Sequence, residues 1–90
     1  MPDRLDKLRT TLAELEAELR GLDSIDDATR DVLADAAAEI AATLRRGKRS
    51  PETKQAESSL KGQLAEFEAS HPQLAGILTR LIDGLGQLGI

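Results

Sequence analysis

The sequence predicts an all-α protein: four helices arranged as two consecutive hairpins, forming a small antiparallel helical bundle completed by homodimerisation. Three observations carry this. A leucine ladder, Leu5, Leu8, Leu12, Leu15, Leu19 and Leu22, opens the chain at alternating steps of three and four. Helix-breaking and helix-capping residues recur at 21–26, 47–51 and 70–72. A second, broader aliphatic stripe then runs from Leu74 to Leu88. Ninety residues, 40% of them hydrophobic and 31% charged, exceed the apolar content of a disordered segment. They make one helical domain, 1–90, of a size at which a single core is marginal and a second copy often supplies buried surface. With Phe67 the one aromatic and no cysteine, the core must be aliphatic, and disulfides, zinc ribbons and thiol chemistry are excluded.

Helix 1 is expected over about 3–20. Its 3.5-residue leucine repeat stays on one side of a 3.6-residue helix only by wrapping against another helix, as in a coiled coil or a bundle seam. Gly21 helps end it. Ser24-Ile25-Asp26-Asp27 resembles a capping box with Asp in place of Glu, which starts helix 2 near residue 25. The intervening turn is short, so the two helices form an antiparallel hairpin. Helix 2, over 25–46, aligns Leu33, Ala36, Ala37, Ile40 and Leu44, a stripe whose alanines admit a close neighbour. Arg45 and Arg46 suit the negative end of its dipole, and Gly47 suits a left-handed terminal residue.

Ser50-Pro51-Glu52 is a strong start for helix 3, over 51–69: a capping hydroxyl, proline at the first helical position and an acid in the first turn. Its apolar side, Ala56, Leu60, Leu64 and Phe67, is narrow and covers one edge of a core. Ser70-His71-Pro72 breaks the pattern, because the residue before proline is pushed out of helical geometry. Helix 4, over 72–88, places Leu74, Ile77, Leu78, Leu81, Ile82, Leu85 and Leu88 in one broad stripe that must be covered. The seven aliphatics of helix 4 and six of helix 1 outnumber those of helices 2 and 3. The expected dimer interface is therefore Leu5, Leu8, Leu12, Leu15 and Leu19 with Leu74, Ile77, Leu78, Leu81, Leu85 and Leu88.

No catalytic, nucleotide or metal motif emerges, and no cofactor is implied. Glu68-Ala69-Ser70-His71 has the spacing of a di-iron carboxylate helix, but Pro72 follows at once and the chain has no second histidine; Ser70 or His71 capping helix 4 accounts for it. The net charge of −4 disfavours general nucleic-acid binding, yet the charge is uneven. Residues 23–44 hold six acids and one base, and 45–54 five bases and one acid. Asp27, Asp31, Asp35 and Glu39 form an acidic ridge on helix 2 that would gain from a cationic partner, either a basic protein or the 45–49 segment of another copy. Arg45, Arg46, Lys48 and Arg49 are the only candidates for an anion contact, by salt-sensitive counterion release. Helix 4 lacks the cationic residues and aromatic anchors of a membrane-surface helix. Met1-Pro2-Asp3-Arg4 leads into charged helix rather than an apolar run, so a cytoplasmic location is expected.

Phe67-Glu68-Ala69-Ser70-His71-Pro72, followed by a leucine-spaced helix ending in Leu88-Gly89-Ile90, resembles the closing signature of a family of short bacterial proteins classed as a domain of unknown function. The resemblance implies an uncharacterised cytoplasmic helical protein and supplies no active-site residue. The functional expectation is accordingly a non-catalytic protein-interaction or oligomerisation module, a homodimer with an unidentified protein partner. The alternative is a regulatory adaptor that binds an anionic ligand or nucleic acid through 45–49.

Overall fold

A computed structural model of the chain describes residues 4–48 and 50–87, and all statements of structure concern these. Four helices follow one another: α1 Arg4–Gly21, α2 Asp27–Arg46, α3 Pro51–Phe67 and α4 Pro72–Gln87. Each packs on two others in a closed ring, α1 on α2, α2 on α3, α3 on α4 and α4 on α1. The diagonal pairs make no Cα approach within 8 Å. Short turns make neighbours antiparallel, as the facing residues confirm: Gly84 near the end of α4 meets Leu8 near the start of α1, and Thr43 late in α2 meets Thr53 early in α3.

The leucine ladder is half of a seam, and α4 is the other half within the same chain. Leu8, Leu12, Leu15 and Leu19 are at most 6% exposed, and Leu74, Ile77, Leu78, Leu81 and Leu85 at most 3%. They share one cluster with Leu33, Ile40 and Leu44 of α2 and with Leu60 and Phe67 of α3. Leu5 packs against its edge; Asp3 and Leu88 lie outside the described residues. Of the two coverings open to these leucines, a coiled-coil partner or a bundle seam, the described residues show the seam within one chain. The two richest faces cover each other, and the buried alanines of α2 let its neighbours close the remaining space. An interface through these side chains would require the bundle to open. The radius of gyration, 12.3 Å, is that of a chain folded around its own core.

The helix ends follow local chemistry, with three departures from expectation. Helix α2 starts at Asp27, not residue 25, because Asp26 is the cap: its Oδ1 accepts the Thr29 N–H at 2.8 Å. Ile25 is thereby left outside the helix and inserted into the core, 8% exposed. Helix α1 owes its end less to Gly21 than to Arg30, whose guanidinium donates to the carbonyls of Leu19 and Leu22. That satisfies orphan acceptors and sets a cation at the negative pole. Helix α3 ends at Phe67 rather than residue 69, with Glu68 as its cap and a turn over 68–70. Gly47 meets expectation: its φ of 78° is left-handed, and its N–H donates to the Thr43 carbonyl at 2.9 Å. No described helix is long and apolar enough to cross a membrane.

Candidate functional site

Two polar clusters hold the ends of the bundle. At one end Thr43 and Thr53, 1% and 0% exposed, bring their hydroxyls to 2.7 Å. The Thr43 hydroxyl donates to the Glu39 carbonyl at 2.9 Å, and Thr53 Oγ1 accepts the Ser50 N–H at 3.1 Å. Ser50 and Thr53 thus complete a capping box in which threonine fills the place usual for glutamate. Arg46 adds a tether: one Nη lies 3.2 Å from Glu39 Oε2 and 3.1 Å from Ser50 Oγ.

At the other end His71 joins the α3–α4 turn to the α1–α2 turn. Its Nε2 is 2.7 Å from Ser24 Oγ and its Nδ1 is 3.1 Å from Ser70 Oγ, so whichever nitrogen carries the proton donates and the other accepts. Phe67 meets the imidazole edge-on, with ring centroids 5.2 Å apart. The His71 carbonyl accepts from Ala75 N–H at 2.9 Å, which makes it the residue preceding the first turn of α4. These contacts explain the FEASHP segment as a structural clasp. Among the described residues no group of three or more His, Cys, Asp or Glu could hold a metal ion.

The outer side of α2 is left as the most distinctive surface. Asp27, Asp31 and Asp35 are exposed along it, while Glu39 is partly covered and paired with Arg46. Like charges at this spacing cost about 0.2–0.5 kcal/mol per pair in an isolated helix, so the ridge is poised to gain from cations. Beside it a groove of about 330 Å³ runs between α2 and α3, with Asp35, Glu39 and Glu52 around a floor of Ala36 and Ala56. Val32 stands on its rim, 39% exposed, the one large aliphatic so open among the described residues. On the opposite flank a groove of about 440 Å³ lies between α1 and α2, floored by Leu19, Ala34 and Ala37.

Of the four expected anion contacts, Arg45 and Lys48 are exposed, Arg46 is occupied by Glu39 and Ser50, and Arg49 lies outside the described residues. Of the three described, Arg46 is thus engaged within the fold, while Arg45 and Lys48 face solvent. The sequence reading missed Arg30, the paired threonines and Val32. Thr43 could have been noticed as a hydroxyl within the apolar stripe of α2, whereas Arg30 acts on a neighbouring helix that periodicity cannot identify.

A family model described as Domain of unknown function (DUF4404) matches residues 8–90, which takes in α2, α3, α4 and α1 from Leu8 onward. Comparison with curated proteins gives no match, and comparison with solved structures gives none.

Proposed function

Given that the chain belongs to the DUF4404 family, a domain of unknown function, we propose that it is a non-catalytic protein-interaction module whose docking surface is the outer side of α2. The observation that carries this is the division of the molecule's surface chemistry. The leucine faces of α1 and α4 are consumed by the core, while α2 turns an acidic ridge outward beside the exposed Val32. Acids around a small-residue floor suit an amphipathic, cationic helix laid against α2, with charge setting orientation and the apolar floor supplying contact area. The proposed setting is the cytoplasm, which suits a chain without cysteine.

Titrating isotope-labelled protein with an amphipathic cationic helical peptide tests the reading. Resonance shifts should concentrate on the exposed residues of α2 and around Val32, and should weaken as salt shortens the range of charge attraction. Shifts confined to the outer sides of α1 and α4, or no saturable shift at low salt, would refute it.

A further inference from the structure

We propose that the occupant of α2's outer face is a second copy of this chain, docked antiparallel about a two-fold axis at Ala38. This rests on the reading of α2 as the docking surface, with Arg45 of each copy as the cation that meets the acidic end of the other. Asp27, Asp31, Ala34, Ala38, Ala42 and Arg45 lie within about 40° of Ala38 when the helix is turned at about 100° per residue. Asp27, Asp31, Ala34, Ala38 and Arg45 are exposed and Ala42 partly so. The face is thus flat and small-sided at its middle, with carboxylates toward one end and a guanidinium toward the other.

Charge commits this face to a copy of itself. Asp31 and Arg45 stand two turns to either side of Ala38, about 10 Å each way at 1.5 Å per residue. Antiparallel docking with Ala38 on the axis brings Asp31 level with Arg45 of the second copy, Arg45 level with Asp31 of the second copy, and Ala34 level with Ala42 of the second copy. These oppositions are matched in size or sign. Parallel docking instead sets aspartate against aspartate and arginine against arginine. Neither Asp31 nor Arg45 has an ion-pair partner among the described residues of its own chain, so both are available. The alanines allow the helix axes to approach at the short end of the roughly 8–10 Å range. The α1–α2 groove continues the face on the flank of Ala34. One helix per copy offers less than the roughly 1,600 Å² of a standard complex, so the dimer belongs to the weak, concentration-dependent class.

Sedimentation velocity from about 10 µM to about 1 mM, a range that spans weak association, reads the outcome. The wild type should shift from monomer to dimer, and Ala38→Arg should remain monomeric. Asp31→Arg and Arg45→Asp, each placing like charges opposite one another twice per dimer, should each weaken association about tenfold or more. The double variant Asp31→Arg/Arg45→Asp should restore it, and so should an equal mixture of the two single variants. All these positions lie on the outside of α2, and circular dichroism checks each variant's fold; should Ala38→Arg fail to fold, the charge exchanges alone decide. A monomeric wild type throughout, a dimer indifferent to these substitutions, or a double variant that fails to recover overturns the proposal. A monomer that still binds the cationic peptide removes the second copy and leaves the docking surface standing. Loss of both removes both.

Discussion

A threonine hydroxyl has one proton to donate, and around Thr43 and Thr53 the available protons form a directed chain. Thr43 donates to the Glu39 carbonyl, so it must accept from Thr53, which in turn accepts from the Ser50 amide. Thr53→Val keeps the shape but leaves the Ser50 amide without this acceptor; it should cost about 1–3 kcal/mol in urea unfolding. The double variant with Thr43→Val should cost less than the sum of the singles, by about 0.5–3 kcal/mol. Strict additivity would show that the hydroxyls act separately. Asp26 makes a second prediction. Hydrogen bonding from Thr29 holds its carboxyl below the ordinary aspartate value, so the ionised cap favours the folded state above the unfolded pKa, and that contribution fades as pH falls through the folded one. Asparagine also caps well but does not titrate there. Asp26→Asn should therefore flatten the acid limb of a stability-against-pH curve below about pH 4; an unchanged limb would remove the cap as its source.

Within the helices, glycine separates backbone cost from packing. Gly62 in α3 and Gly76 in α4 are exposed, with nothing within 4 Å of an added Cβ. Alanine at either should raise stability by about 0.5–1 kcal/mol. Gly84 differs, because its Cβ would lie 2.8 Å from Leu8 Cδ1, and Leu8 is only 2% exposed and hemmed in by the core. Overpacking of about 1–3 kcal/mol should cancel or exceed the helical gain there. Thermal unfolding of the three variants checks the contrast, and an equal rise at Gly84 would mean that the α1–α4 approach is loose. The helices themselves were legible for comparable local reasons: Ser50-Pro51 starts α3 and Gly47 ends α2 as their chemistry requires. The start of α2 was misread by two residues because Ser24 and Asp26 are both good caps. Only the fold shows that the Ser24 hydroxyl is committed to His71. The arrest of α1 by Arg30 was likewise out of reach, since the guanidinium belongs to the next helix.

At the scale of the whole molecule, spacing identified the α1 and α4 faces as the two needing burial without saying whether they would meet within one chain or between two. Summing the aliphatics of α1 and α4 against the thinner stripes of α2 and α3 suggested a deficit for a second chain to fill. In the fold the two rich faces subtract from each other. Unfolding midpoints should therefore be independent of protein concentration in the low micromolar range, where weak surface docking is absent; a midpoint rising with concentration there would indicate a core shared between chains. Leu78→Ala, at a position with no exposure, should cost about 2–5 kcal/mol. That is a large share of the roughly 5–15 kcal/mol typical of a domain. The clasp between Ser24 and His71 also has a consequence in time. It joins residues 47 apart, whereas the turn between α1 and α2 spans only the five residues 22–26. Closing the longer loop from an open chain costs about 2 kcal/mol more in entropy. This bond requires the first and third turns to be at the same end of a docked pair. Phe67 and Ser70 meet His71 inside its own hairpin, so it is the Ser24–His71 hydrogen bond alone that marks the joining of the two hairpins.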